Sequence, residues 1–100
     1  MPHNPRARGH EQRGRRLAVI LRSEDLPLST VLLAPTSTSV APRVFRPEVG
    51  LAGRRTCVLV EQLRAVDVTR LGRRVDHLAR ADLDAVEDAL DLVLALDLRR

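Results

Sequence analysis

The order of segments predicts a mainly β fold: short, mostly antiparallel strands bent into a small sheet or barrel, closed by one C-terminal helix. Two observations carry this. Short aliphatic and β-branched runs alternate with Pro-, Gly- and Ser-containing turns along most of the chain. Helical spacing of apolar residues occurs only near the C-terminus. A chain of 100 residues allows one modest core and no second domain.

The elements follow in order. Residues 1–16 (MPHNPRARGHEQRGRR) contain two Pro, two Gly and five Arg and lack apolar periodicity, which predicts a basic arm or loop. Residues 17–100 then form the single domain. LAVIL (17–21) reads as a strand, followed by the turn SEDLPLS (23–29). STVLLAP (29–35) is a second strand, stopped by Pro35, and TSTS (36–39) is a cluster of hydroxyls at its end. VAPRVFRPEV (40–49) alternates loosely, and Pro47 confines it to an edge or an irregular strand. GLAGRR (50–55) is a turn and TCVLVEQL (56–63) a third strand. RAVDVTRLG (64–72) reads as a strand end and a turn closed by Gly72, and RRVDHLA (73–79) as one more short strand.

The closing helix is predicted over 80–96. Leu83, Val86, Leu90, Val93 and Leu94 make one stripe, and Asp84, Glu87, Asp88 and Asp91 take the other face. Asp82 and Asp84 sit near the positive end of the helix dipole. Ala79 stands where a capping Ser would be expected.

Composition excludes several classes. No wholly apolar run exceeds five residues, far short of the ~20 of a membrane helix. No secretory signal is evident, which predicts a soluble, cytoplasmic protein. The single cysteine, Cys57, allows neither an internal disulfide nor a cysteine-based zinc site; within TCVLV it reads as a buried structural thiol. His3, His10 and His77 share no metal-ligand spacing, so neither metal nor other cofactor is expected. Gly-rich phosphate loops and nucleophile elbows are absent from the sequence.

The net charge is +4, and all 17 basic residues are arginine. Residues 1–16 and residues 17–80 each carry a net +4, whereas residues 81–100 carry −4. A basic body suits a polyanion, and the planar fork of arginine suits phosphate. An all-arginine chain rich in Ala, Val, Leu and Asp also fits the coding bias of a GC-rich genome.

Candidate site residues follow from this charge. Arg15 and Arg16 stand at a strand entrance behind Glu11. Thr36, Ser37, Thr38 and Ser39 supply hydroxyls, whose ordinary use is turn chemistry. Arginine, carboxylate and hydroxyl are together sufficient for cleavage of an RNA phosphodiester without a metal. The ribose 2′-hydroxyl is an internal nucleophile, so the protein need only orient it, assist loss of its proton and stabilise phosphorane charge.

Four stretches together resemble the MazF/PemK toxin family. GHEQRGRRLAVIL (9–21) is similar to the family loop G-S-E-Q-x-G-x-R-P and its following strand. VLLAPTSTS (31–39) is similar to a strand ending in P-x-T, and VLVEQLRAVD (58–67) to V-x-x-x-Q-[IL]-R-[TAS]-[VI]-D. ARADLDAVEDALDLVLAL (79–96) is similar to the closing helix. The resemblance implies a small PemK/CcdB-like β-barrel, acting as a homodimer. It implies metal-independent cleavage of single-stranded RNA to 2′,3′-cyclic phosphate and 5′-hydroxyl ends, and inhibition by a cognate antitoxin with an acidic tail. Arg16 falls on the catalytic arginine and Glu11 on the family carboxylate. Ser37, or Thr38 after a one-residue shift, falls on the catalytic hydroxyl. Arg15, Thr36, Phe45, Gln62 and Arg64 are the implied RNA-binding residues, Phe45 being the only aromatic available for base stacking.

Two departures carry expectations. Leu17 replaces a family proline. Residues 1–8 hold nothing like the family's opening R-G-[DE]-[IV]-W strand, which predicts unpaired strand edges. An upstream start, a poorly pairing arm or an inactive copy would each account for that. The alternative function is a catalytically weak antitoxin- or gyrase-binding module.

Overall fold

The computed structural model describes residues 6–12, 16–22 and 29–98, with side chains for 16–21 and 29–95. Seven strands are followed by a helix: β1 Arg6–Gln12, β2 Arg16–Arg22, β3 Thr30–Ser37, β4 Glu48–Leu51, β5 Arg54–Val58, β6 Arg64–Asp67, β7 Leu71–His77 and α1 Arg80–Leu98. Short 3-10 turns at Val60–Gln62 and Val68–Arg70 precede β6 and β7. The pairing is antiparallel throughout, in the order β4-β5-β3-β2-β1-β7, with β6 also on β3.

β3 is the hub because it changes partners along its length. Residues Leu32–Pro35 pair with β2, and Thr30–Leu33 pair with β6 on the other edge. At Thr36 and Ser37 that second edge passes to β5. The Leu59 amide donates to the Pro35 carbonyl at 2.8 Å, bridging the change. The sheet therefore curls, with an apolar cluster on each face.

Strand alternation sorts those clusters. Val19, Leu21 and Ala34 face one way and pack with Val49, Leu51, Val58, Val60, Val86 and Ala89 under α1. Ala18, Ile20, Val31 and Leu33 face the other way and are covered by Val66, Val68 and Leu71. The continuous apolar run LAVIL is thus a strand buried on both faces.

The loop reading of residues 1–16 is corrected at Arg6–Gln12. These residues form β1, in register with β2 from Arg6↔Arg22 to Gln12↔Arg16, and they also pair with β7. RARGHEQ lacks an apolar face, so no periodicity announced a strand. Its place comes from two neighbouring edges that each need backbone partners. The expected unpaired edge is accordingly filled.

Other boundaries shift. The proposed strand 56–63 stops at Val58, where the chain tightens into a 3-10 turn that buries Val60 beneath α1. Of residues 40–49 only the last two enter β4; Arg43 and Arg46 exchange backbone hydrogen bonds of 3.1 and 2.9 Å, making a tight turn with Val44 and Phe45 at its tip. Gly72 lies inside β7. In α1 the buried contacts come from Val86 and Ala89, flanked by Leu83, Leu90 and Val93, while Leu94 is exposed. Ala89 was invisible to a pattern of large residues; its small side chain lets the helix approach the sheet.

Two aspartates tie this frame together. The Gly50 amide donates to Asp82 Oδ2 at 2.9 Å, so Asp82 serves a neighbouring strand as well as its own helix start. The Ala52 amide donates to Asp76 Oδ2 at 2.9 Å. Ala52 and Gly53 both have positive φ, 53° and 80°, as a two-residue turn matching the strand twist requires.

Candidate nucleic-acid interface

The hairpin β1–β2 and the end of β3 set the geometry. Gln12 lies opposite Arg16 and Glu11 opposite Leu17, so the backbone of Glu11 is one register step from that of Arg16. The side chain of Glu11 and all of Arg15 lie outside the described residues. Beyond the last β2–β3 pair, Ala18↔Pro35, the Thr36 hydroxyl donates to the Leu17 carbonyl at 2.9 Å. This keeps the two strands together one step further.

Alternation then places Arg16, Ala18 and Ile20 on the same sheet face as Leu33, Pro35 and Ser37. Thr36 points the other way and has its hydroxyl proton engaged. The Ser37 hydroxyl lies 3.2 Å from that of Ser39 and accepts from the Ser39 amide at 3.2 Å. Thr38 is exposed in the bend that follows β3.

On that face Arg16 meets Arg64. Both line a concavity of about 670 Å³, together with Arg70 and the apolar side chains Leu33, Val66 and Leu71. The three arginines are exposed, and none of their guanidiniums makes an ion pair or hydrogen bond with another described residue. Arg64 is carried there by its pairing with Leu33, and Val66 by its pairing with Val31.

Arg70 escaped the sequence reading. It ends the 3-10 turn that Asp67 caps: Asp67 Oδ1 accepts from the Thr69 amide at 2.8 Å and the Thr69 hydroxyl at 2.7 Å. These two bonds, and then the charge of Arg70, hold the Asp67 carboxyl below its ordinary range. The local D-x-T pattern was the available signal, since an Asp bonding two residues ahead fixes a turn.

The remaining candidates lie elsewhere. Gln62 is exposed at the end of its 3-10 turn, outside the concavity. Phe45 is half-exposed at the tip of its own turn, with the Arg46 guanidinium 5.5 Å from its ring centroid and Arg46 ion-paired to Glu61. The structure does not bring Phe45 or Gln62 to Arg16. Cys57 is 2% exposed and donates to the Val40 carbonyl at 3.6 Å. Burial, and next the nearby Glu48 charge, push its thiol pKa up, as expected of a structural cysteine. Among the described residues no three of His, Cys, Asp and Glu converge as a metal site, and no helix is long and apolar enough to cross a membrane.

Comparison with known proteins finds the same fold in solved structures and related sequences in one toxin family. The fold superposes on an "Endoribonuclease from Mycobacterial species" with a TM-score of 0.80 at 13% identity, covering 95% of this chain and 94% of that one. It superposes on the "Mycobacterium tuberculosis toxin MazF-mt6" with a TM-score of 0.74 at 21% identity, covering 90% and 96%. The MazE-MazF structure from Deinococcus radiodurans gives 0.75 at 19% identity, covering 95% and 99%. At these identities the likeness is one of fold. In sequence, 90 residues are 46% identical to a Mycobacterium tuberculosis protein named "Putative toxin Rv3098A/RVBD_3098A", covering 89% of this chain and 85% of the relative. A family model described as "PemK-like, MazF-like toxin of type II toxin-antitoxin system" matches residues 1–94. The chain belongs to that toxin family.

Proposed function

We propose that the protein is a metal-independent endoribonuclease that cleaves single-stranded RNA by attack of the 2′-hydroxyl on the adjacent phosphate. The observation that carries this reading is the Arg16 guanidinium, which has no ion-pair partner among the described residues and is set with Arg64 beside an open concavity on the sheet face that also bears Ser37.

Each group has a role. Arg16 stabilises the extra negative charge of the phosphorane, a task suited to the planar fork of guanidinium donors. Glu11 pairs with Leu17, on the face of Thr36 and not that of Arg16, so its role in proton transfer from the 2′-hydroxyl rests on the family resemblance and not on the register. Ser37 hydrogen-bonds a phosphate oxygen and holds the scissile group in line. Alternation favours Ser37 over Thr38 for that task, because Ser37 shares the face of Arg16 and the Thr36 hydroxyl is spent on the Leu17 carbonyl. Arg64 contacts the strand backbone. Gln62 and Phe45 extend the contact beyond the concavity, Phe45 by stacking on a base, and Arg15 adds a further cation for the RNA backbone. The 2′-oxygen forms a bond to phosphorus as the 5′-oxygen leaves, giving a 2′,3′-cyclic phosphate and a 5′-hydroxyl.

The partners are a second copy of the chain and a cognate antitoxin whose acidic segment competes for the arginine-lined face. Antitoxin complexes among proteins of this fold support that assignment. End-group analysis of RNA incubated with the protein in EDTA tests the reaction. Cyclic phosphate termini are expected; 3′-hydroxyl termini or intact RNA would refute it.

A further inference from the structure

Ser37 carries its hydroxyl on an unbranched side chain. Such an alcohol has three staggered wells open to it about χ1, where a β-branched threonine is stiffer. Only a well that aims the oxygen along the Arg16 face serves a phosphate there. A serine at this position therefore needs a restraint from outside its own side chain.

Ser39 supplies it. The Ser39 amide donates to Ser37 Oγ at 3.2 Å, and Ser39 Oγ lies 3.2 Å from the same atom. Among the described residues no other group bonds the Ser37 hydroxyl. A hydroxyl has one proton and two lone pairs, and the amide takes one of those pairs. When the Ser39 hydroxyl donates to the other, the Ser37 proton is left over for a phosphate oxygen, which only accepts. Without substrate the two hydroxyls can point the other way, since reversal needs only rotation of their hydrogens.

The bend that carries Ser39 is itself tethered. Ser37 pairs with Cys57 across β3 and β5, and the buried Cys57 thiol donates to the Val40 carbonyl at 3.6 Å. Ser39 thus lies between two residues tied to one strand position.

We infer that Ser39 is a positioning residue, which holds Ser37 Oγ along the Arg16 face and frees its proton for the scissile phosphate. The inference rests on the ribonuclease reading for what the held hydroxyl does.

The test reads the rotamer and the reaction separately. Three-bond Hα–Hβ couplings of Ser37, measured by NMR, report χ1 whether or not RNA is cut. Wild-type couplings should be those of a single well, and in Ser39→Ala they should move toward averaged values. Cleavage of a defined RNA in EDTA is measured alongside. Ser39→Ala keeps the amide and loses the hydroxyl, so kcat should fall about twofold to tenfold, the worth of one hydrogen bond, with KM unchanged. Ser39→Thr should keep kcat. Ser37→Thr added to Ser39→Ala should restore most of it, because branching then restricts χ1. Ser37→Ala with Ser39→Ala should be no slower than Ser37→Ala alone. Loss of bend stability by itself would lower the melting temperature and would not be rescued by Ser37→Thr. Ser39 is exposed, and a far-UV circular dichroism melt checks that each variant folds.

Averaged Ser37 couplings in the wild type, or a Ser39→Ala loss that persists in full on top of Ser37→Ala, would overturn the inference even where the wild type cleaves RNA. Single-well couplings released by Ser39→Ala, in a protein that cleaves no RNA, would support the positioning and refute the ribonuclease reading.

Discussion

The hydroxyl of Thr36 donates to the carbonyl of Leu17 at 2.9 Å, joining the end of β3 to the start of β2 past the last regular pair. Arg16 and Ser37 are the next residues on either side of that bond. Thr36→Val keeps the shape and removes the donor, so it should lower unfolding free energy by about 1 kcal/mol in chemical denaturation. Thr36→Ser should preserve it. Cleavage should fall further than stability in Thr36→Val, because the alignment of Arg16 with Ser37 loosens.

The choice between the two hydroxyls is open to substitution. Ser37→Ala should reduce kcat about tenfold to a hundredfold, the loss of one hydrogen bond to a charged group. Thr38→Ala should leave kcat unchanged within error. The opposite ranking would place the phosphate contact at Thr38.

Acid sensitivity should report on Asp76. Hydrogen bonds from the Ala52 and His77 amides hold its carboxyl below the ordinary value, about 3.9. A depressed folded pKa gives stability that is fully present above the unfolded value and is lost as pH falls through the folded one. Thermal midpoints should therefore drop from about pH 4 downward, and Asp76→Asn should show a shallower drop there. A titration of identical shape in both proteins would exclude Asp76 as a source.

The β4–β5 turn offers a gain. Ala52 sits at φ 53°, where an L-residue other than Asn or Gly is strained by roughly 1–2 kcal/mol. Ala52→Asn should raise stability by about 1 kcal/mol, measured by denaturant midpoint, with no effect on cleavage.

Sequence pattern carried the elements whose own residues make an apolar face. Val19, Leu21 and Ala34 lie in the continuous aliphatic runs read as strands, and Val86 in the helical stripe. β1 was illegible because RARGHEQ is polar and is held by the backbone edges of β2, next in sequence, and of β7, which is distant in the chain. The break after Val58 was hidden because an apolar run reads alike whether it continues as strand or turns beneath a helix. At the site, Arg16, Ser37 and Arg64 were found through motif resemblance. Arg70 was missed because an arginine in a polar turn carries no signal until Asp67 and Thr69 are seen to fix its direction.

The central claim is that the Arg16 guanidinium carries the transition-state charge in RNA cleavage. The most direct measurement is single-turnover cleavage of one defined RNA in EDTA by the wild type and by Arg16→Ala, with binding of a non-cleavable strand as the control. Loss of one such charge stabiliser is worth ~2.7–4 kcal/mol, or about 10²–10³ in rate, and should exceed any loss in binding. Equal rates for the two proteins, or no cleavage by the wild type at all, would contradict the account.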